Sequence, residues 1–187
     1  MRIEHLSKFY GGKAVLRDVS FSLEWSVTCL MAPSGSGKTT LMRILLGLER
    51  PDKGHIADAP ERWGVMFQED WLLEALTAME NLRFAIGPAL QEEEAADLLA
   101  RLGLGEEGEK AVRAYSGGMK RRLALARALL APSQALALDE PFTGLDPENR
   151  EICLRLIAEA AREKPVLLVT HEESDAAALH AAVIRLS

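Results

Sequence analysis

The pattern of apolar and polar positions predicts strands that alternate with helices along most of the chain. Two early segments alternate with a period of about two, and the later strand candidates are short apolar runs of the kind buried on both faces of a sheet. The predicted strands are Met1–Leu6, Val19–Leu23, Val27–Met31, Trp63–Phe67, Ala135–Leu138 and Val166–Thr170. Because helical segments separate the later strands, we expect an α/β fold with a mainly parallel sheet and right-handed crossovers.

Apolar residues at helical spacing predict five helices. In Lys38–Leu48 they form one stripe, and the turn residues Pro51 and Gly54 follow it. The other predicted helices are Ala78–Ile86, Glu92–Leu102, Gly118–Leu130 and Glu148–Arg162. Because the pattern is helical from about residue 71 to 130, we expect a helical subdomain there, within one domain that spans residues 1–187.

Composition narrows the class of protein. The 187 residues are 48% hydrophobic and 27% charged, which is typical of a globular domain. The net charge of −6 argues against a nucleic-acid partner, because nucleic-acid binding normally requires a basic face. The two cysteines, Cys29 and Cys153, have no metal-binding spacing, which favours a reduced cytosolic compartment. No run of 18 apolar residues occurs, so we expect any membrane association to depend on a partner.

A phosphate-binding loop is predicted between the third strand and the first helix. The segment Ala32–Thr39 reads Ala-Pro-Ser-Gly-Ser-Gly-Lys-Thr, and a strand before it and a helix after it are the context that such loops require. Gly35 and Gly37 let the backbone close around phosphates, while Lys38 would contact the β- and γ-phosphates. The alternative is a chance Gly-Lys-Thr sequence, and Ala32 stands where the usual pattern has glycine.

Polar side chains follow three other predicted strands. Asp139 and Glu140 end an apolar strand, where one carboxylate could hold Mg²⁺ and the other could polarise the attacking water. Gln68 and His171 also stand at strand ends, so they are expected at the same edge of the sheet. The alternatives are an ordinary turn at Glu140 and a structural role for His171.

Ser116, Gly117 and Gly118 precede a predicted helix that carries Arg121, Arg122 and Arg127. Two glycines at a helix start permit close approach of an anion, and the serine adds a hydroxyl donor. The alternative is a plain serine N-cap followed by flexible glycines.

Taken together, these residues resemble the ATP-binding cassette (ABC) family in type and in order. The matching segments are Tyr10, Ala32–Thr39, Gln68, Tyr115–Met119, Leu136–Glu140, Gly144–Asp146 and His171. The resemblance spans nearly the whole chain, with Tyr115 and Met119 departing from the Leu-Ser-Gly-Gly-Gln signature. It implies a phosphate-loop NTPase core with a mainly parallel sheet, a small antiparallel β-lobe and a helical subdomain. Because the segment from Gly54 to Gln68 is short for the family, we expect a trimmed β-lobe.

The resemblance also implies roles for individual residues in binding and hydrolysing ATP with Mg²⁺. Glu140, His171 and Gln68 would be catalytic, and Thr39, Gln68 and Asp139 would hold the metal. The implied nucleotide-binding residues are Tyr10, which would stack on adenine, Pro33, Ser34, Gly35, Ser36, Gly37, Lys38, Thr39, Thr40, Ser116, Gly117, Gly118 and Asp146.

Partners follow from the same resemblance. Two cassettes would pair head to tail, most simply as a homodimer, so that Ser116 to Gly118 of one copy cap the ATP held by Lys38 of the other. A transmembrane permease would dock near Gln68–Leu73. Met119 and the run Phe67–Asp70 are similar to those of nitrate, sulfonate and taurine importers, which also use a substrate-binding protein. The implied location is cytoplasmic, on the inner face of the cell membrane.

Two other functions are compatible with parts of this pattern. An ABC protein that works on DNA or ribosomes would share the motifs, but such proteins usually carry tandem cassettes or coiled-coil insertions, and this chain has neither. A small-molecule kinase would share the phosphate loop, but it would leave Ser116–Met119 without a role.

Overall fold

The computed structural model describes residues 1–23, 26–31 and 35–186, and its strands form two sheets. The strands are β1 (Arg2–Tyr10), β2 (Lys13–Ser22), β3 (Val27–Met31), β4 (Lys53–Ala57), β5 (Trp63–Met66), β6 (Ala135–Asp139), β7 (Val166–Val169) and β8 (Ala182–Arg185). The α-helices are α1 (Lys38–Leu45), α2 (Ala78–Ile86), α3 (Glu92–Arg101), α4 (Gly117–Leu130), α5 (Pro147–Ala160) and α6 (Glu173–Ala178). Short 3₁₀ turns lie at Gly87–Ala89, Gly105–Glu107 and Val112–Ala114.

The first sheet is the expected small antiparallel lobe, with strand order β2-β1-β4. Tyr10 pairs with Lys13 across a tight turn in which Gly11 and Gly12 both have positive φ. This conformation joins the strands with the correct twist and costs glycine little. Both strands of this hairpin are therefore longer than the apolar pattern predicted. Pattern analysis also missed β4, assigning its first residues to a turn.

The second sheet has the order β5-β6-β7-β3-β8, and every neighbouring pair in it is parallel. This confirms the predicted mainly parallel sheet. The edge strand β8 was not predicted, because it is only four residues long and mostly exposed. Its residues Ala182, Val183 and Ile184 are apolar, but so short a run does not distinguish a strand from a helix segment.

Strands β3, β6 and β7 are buried at every position. Alternate side chains along them enter two different apolar clusters. Leu136 and Leu138 pack on the side of α2 to α5, whereas Ala137 packs with Leu41 of α1 and with the antiparallel sheet. Both faces of the parallel sheet are thus covered, which explains why these strands read as unbroken apolar runs.

The five predicted helices differ little from those of the structure, but the short helix α6 (Glu173–Ala178) was not predicted. Helix α1 ends at Leu45 rather than Leu48, because Gly47 takes a left-handed conformation and Leu48 is 67% exposed. Helix α2 begins with a capping box between Thr77 and Glu80, which satisfies the amides that a helix start leaves open. Helices α2, α3 and α4 lie in the predicted helical region.

The structure also shows the state of the two cysteines and the lengths of the apolar helices. Cys29 and Cys153 are free and buried, which is typical of small core residues. In the described part of the chain, no helix is both long enough and apolar enough to cross a membrane.

Candidate functional site

The phosphate loop leads from β3 into α1. Ala32, Pro33 and Ser34 lie outside the described residues, but the rest of the loop is described. Gly35 and Gly37 have φ values of 79° and 91°, a region that L side chains rarely adopt. A Cβ on Gly37 would lie 2.9 Å from the backbone oxygen of Val15, so the loop packs too closely there for any other residue.

The loop has the features of an anion site. Helix α1 has no side-chain cap at its N-terminus, and a helix start of this kind accommodates phosphate oxygens. The hydroxyl of Ser36 is buried without a hydrogen-bond partner among the described residues. Because a buried polar atom of this kind costs free energy, the hydroxyl is suited to a polar ligand. The residues present therefore fit a bound phosphate chain.

An open cavity of about 860 Å³ collects most of the predicted residues. It is lined by residues from the phosphate loop, from the ends of β5, β6 and β7, and from the start of α4. The predicted site residues in its lining are Gly35, Gly37, Lys38, Thr39, Thr40, Gln68, Gly117, Gly118, Asp139, Glu140 and His171. The carboxyl ends of parallel strands bring these distant positions to one edge of the sheet, as expected.

The acidic pair lies at the end of β6. Asp139 is 4% exposed, and burial together with the neighbouring Glu140 raises its pKa to about 6. Glu140 has a φ of 50°, an unfavourable conformation for a residue with a side chain, and its amide donates to the carbonyl of Val169 at 2.8 Å. Asp139 is thus buried at the end of β6, whereas Glu140 lies in the turn that follows the strand.

His171 is hydrogen-bonded to Glu140 rather than standing alone. Its Nδ1 lies 2.9 Å from Oε1 and 3.0 Å from Oε2 of Glu140. The imidazole is well exposed, and its Nε2 lies 3.3 Å from Oε1 of Glu172. The hydrogen bond to Glu140 raises the pKa of His171 above its usual value.

The segment that carries His171 is held by a buried carboxylate that sequence reasoning did not identify. Asp175 is 2% exposed, accepts a 2.8 Å hydrogen bond from the hydroxyl of Thr170, and pairs with Arg150 of α5. The same hydroxyl accepts from the amide of Glu172 at 3.1 Å. These bonds fix the backbone on both sides of His171.

Tyr10 does not line the cavity. Its hydroxyl donates to Glu49, which raises the pKa of Tyr10, and the ammonium of Lys8 lies 5.5 Å from the centre of its ring. The side chain remains 46% exposed. The predicted stacking on adenine stays a prediction.

Ser116 and Asp146 also lie outside the cavity lining, and each caps a helix. Ser116 Oγ accepts from the amide of Met119 at 3.2 Å, and Asp146 accepts from the amide of Asn149 at 2.8 Å. The serine thus makes the N-cap that the sequence left open as an alternative. A Cβ on Gly118 would lie 3.4 Å from the carbonyl oxygen of Gly144. The segment that contains Ser116 and the segment that contains Asp146 are therefore neighbours within one chain.

The arginines of α4 were assigned no role from the sequence, yet Arg121 lines the cavity. Its guanidinium donates to the carbonyl oxygens of Gln68 and Glu140. A basic residue five positions after Ser116 is a weak sequence signal, because exposed arginines are common in helices. Only the packing of α4 against β5 and β6 identifies it.

Comparison with known proteins decides the family. The model of the family described as "ABC transporter" matches residues 16–143, which include the phosphate loop and the acidic pair. The chain belongs to the ABC transporter family. It is accordingly an ATP-binding and ATP-hydrolysing cassette, and the small-molecule kinase alternative is excluded.

Several relatives of this cassette have assigned functions. The chain is 36% identical to the thiamine import ATP-binding protein ThiQ of Mesorhizobium japonicum, over 94% of this chain and 76% of the relative. It is 40% identical to the aliphatic sulfonates import ATP-binding protein SsuB 3 of Paraburkholderia xenovorans, over 95% and 72%. An export protein is also similar: the Nod factor export ATP-binding protein I of Ralstonia nicotianae is 38% identical, over 91% and 59%.

A solved structure has the same architecture. The ATP-binding cassette MJ0796, in a dimeric post-hydrolysis state with ADP and Pi, superposes with a TM-score of 0.84 at 28% identity, covering 100% of this chain and 94% of that one. This agreement confirms the predicted fold class, including both sheets and the helices between them.

Proposed function

We propose that this cassette hydrolyses MgATP at the cavity described above and thereby drives import through a separate membrane permease. The observation that carries the proposal is that Lys38, Asp139, Glu140 and His171 line one cavity at the carboxyl edge of the parallel sheet. Cations, carboxylates and a histidine on rigid strand ends are the groups that phosphoryl transfer to water requires.

The predicted catalytic and metal-binding residues each have a role in this scheme. Lys38 and the phosphate-loop amides bind the phosphate chain, and Glu140 orients the attacking water and accepts its proton. His171 contacts the γ-phosphate. Thr39, Gln68 and Asp139 would hold Mg²⁺, which would supply electrostatic stabilisation of the phosphate oxygens.

The residues available suit magnesium. The described residues contain no cluster of three or more histidine, cysteine or acidic side chains that could form a closed metal site. Magnesium shared with substrate phosphates needs only one or two protein carboxylates. Asp139 lines the cavity and can serve as that ligand in its ionised form.

A head-to-tail dimer would complete the site. A Cβ on Gly117 would meet nothing within 4 Å, so the start of α4 offers open space for another molecule to approach. The solved cassette MJ0796 is dimeric, which supports the same assembly here. In such a dimer of this chain, Ser116 to Gly118 of one copy would contact the ATP bound to the other. Asp146 would couple the two sites.

The permease would dock at the segment Gln68–Leu73. Trp71 and Leu73 are 62% and 40% exposed, which leaves apolar surface for a partner. The backbone there is rigidly held, because Asn81 bonds both the amide and the carbonyl of Leu73. This arrangement would place the cassette on the inner face of the cell membrane.

Two of the reported relatives are named as import proteins and one as an export protein. The larger number of import proteins among these relatives favours import. An importer would use a substrate-binding protein as a further partner, besides the permease and the second cassette. No observation favours the alternative of work on DNA or ribosomes, and we expect no nucleic-acid partner.

Phosphate release from MgATP by the purified chain tests the proposed activity. Glu140→Gln should bind ATP with similar affinity but lower kcat at least about a hundredfold, because a neutral amide cannot accept the water proton. Glu93→Gln, an exposed substitution in α3, is the matched control and should retain full activity. Equal activity in the two variants would contradict the role of Glu140.

Co-purification with the permease tests the coupling to transport. The chain should be retained on membranes that contain its permease, and Trp71→Asp should reduce retention at least about tenfold, because it places a charge in an apolar contact. Binding of the wild-type chain to nucleic acid but not to these membranes would contradict the transport function.

A further inference from the structure

A single buried arginine joins three separate parts of the site. Arg121 lies on α4, five residues after Ser116, and its side chain is only 6% exposed. Its guanidinium donates to the carbonyl oxygens of Gln68 at 2.8 Å and Phe67 at 3.0 Å, and it forms an ion pair with Asp70 at 2.8 Å. The segment after β5, which holds the proposed metal ligand and docking surface, is therefore attached to α4.

The same guanidinium also holds the end of β6. It donates to the carbonyl oxygen of Asp139, and it donates twice to that of Glu140, from Nη2 at 2.7 Å and from Nε at 3.2 Å. Both residues of the acidic pair are thus bonded through their main chains. None of these hydrogen bonds goes to a carboxylate oxygen of Asp139 or Glu140, so Arg121 does not occupy the oxygens that the metal and the water would use.

The backbone of Glu140 needs such support. Its φ of 50° is unfavourable for a residue with a side chain, and a conformation of this kind persists only where the surroundings hold it. Besides the bonds from Arg121, its carbonyl accepts from the amide of Thr143 at 3.2 Å. The direction of the Glu140 carboxylate follows from this turn.

The chemistry of arginine suits this task. Guanidinium carries five donors in a rigid plane, so one side chain can bond several carbonyl oxygens that converge on it. Burying a cation is expensive unless it is fully hydrogen-bonded, and four of the five acceptor groups here are neutral carbonyls. These hydrogen bonds therefore offset the desolvation cost of the buried cation, and they fix the backbone geometry of the segments that it contacts.

We infer that Arg121 is a positioning residue that makes the orientation of Glu140 depend on the position of α4 and of the Gln68 segment. A partner that displaces α4 or the docking segment would change the direction of the Glu140 carboxylate through these bonds. Contact with a partner would thereby be coupled to hydrolysis. The inference rests on the proposed role of Glu140 in ATP hydrolysis.

The neighbouring residue offers a matched control. Arg122 is also a buried arginine on α4, 9% exposed, but its guanidinium donates to the carbonyl oxygens of Leu102 and Gly118. It makes none of the bonds to β6 or to the segment after β5. Arg122→Met therefore removes a buried guanidinium from the same helix without removing the contact at issue.

The test compares Arg121→Met with Arg122→Met in steady-state hydrolysis and in amide hydrogen exchange without nucleotide. Arg121→Met should lower kcat at least about tenfold with KM for ATP changed less than about threefold, because misplacing a catalytic group costs turnover rather than binding. Amides of residues 140–145 should exchange about tenfold faster in this variant. In Arg122→Met, both quantities should stay within about threefold of wild type.

Two additional variants keep the test decisive if Arg121→Met folds poorly. Arg121→Lys keeps the charge but has a single nitrogen, so kcat should still fall at least about threefold. In Arg121→Ala, millimolar guanidine should restore part of the activity and an equal concentration of sodium chloride should not, because the vacated site opens to the cavity.

Equal losses of kcat in Arg121→Met and Arg122→Met, or unchanged exchange at residues 140–145, would overturn the inference. Unchanged kcat in Arg121→Lys would do so as well. Failure of the wild-type chain to release phosphate would instead overturn the proposed function. The exchange measurement needs no nucleotide, so it still decides the inference in that case.

Discussion

The imidazole of His171 and the carboxylate of Glu140 are hydrogen-bonded to each other, with Nδ1 2.9 Å from Oε1. The two residues come from the ends of β7 and β6, neighbouring strands of the parallel sheet. A γ-phosphate and a water would compete for both groups, so we expect this bond to change when nucleotide binds. The hydrogen bond between His171 and Glu140 should therefore report whether the site holds nucleotide.

The first prediction concerns the pKa of His171. Glu140→Gln should lower it toward the ordinary histidine value, because the hydrogen bond to the carboxylate is the largest cause of its increase. A raised folded-state pKa means that the pair stabilises the fold at pH values below the unfolded-state pKa. That stabilisation is lost as the pH rises through the folded-state pKa. Titration of the imidazole Cε1 proton by NMR, without nucleotide or metal, measures the shift.

The control for this titration is Glu172→Gln. Glu172 is a weaker cause of the raised pKa, so its replacement should lower the pKa of His171 by less. If Glu140→Gln left the titration of His171 unchanged, the hydrogen bond would not exist in solution.

The second prediction concerns the packing of the phosphate loop. Gly37→Ala should lower the free energy of unfolding by about 2 kcal/mol or more, because it combines a positive φ with a Cβ 2.9 Å from the backbone of Val15. Gly35→Ala has a similar φ but meets nothing within 4 Å, so it should cost only about 1 kcal/mol. Denaturant unfolding of the two variants measures the difference, and equal losses would show that the close contact is absent.

The third prediction concerns the proposed sharing of sites between two copies. A Lys38→Ala subunit and a Ser116→Arg subunit should each fail to retain nucleotide alone, since every composite site then lacks one half. A mixed dimer of the two should retain half the nucleotide of the wild type, because one of its sites is intact. Nucleotide retention is measured after rapid gel filtration of mixed and unmixed proteins. The absence of retained nucleotide in the mixture would contradict site sharing.

The fourth prediction concerns the ion pair between the buried Asp175 and the partly exposed Arg150. Asp175→Asn should lower the free energy of unfolding by about 2 kcal/mol, because it leaves Arg150 without its anionic partner and weakens the bond from Thr170. Glu173→Gln, in an exposed pair with Arg185, should change it by no more than about 0.5 kcal/mol. Thermal and urea denaturation give both values. A cost for Asp175→Asn no greater than that of the control would rule out a supporting role.

Sequence patterns predicted the elements whose signal lies within a short stretch of the sequence. Strands β3, β6 and β7 were found because burial on both faces demands continuous apolar runs, and α2 was predicted with its correct bounds. Strands β4 and β8 were missed, because they are short and mostly exposed. Their pairing is with strands far along the chain, and no local signal marks it.

The amino-acid sequence alone determined which chemical groups are available. Because the carboxyl ends of parallel strands meet at one edge of a sheet, it also placed Gln68, Asp139 and His171 together. Only the tertiary structure decided how those groups are held. Arg121 bonds carbonyls 19 and 53 residues away, and Asp175 pairs with an arginine 25 residues away. Main-chain carbonyls are present at every position, so no sequence pattern can reveal which of them a buried side chain will reach.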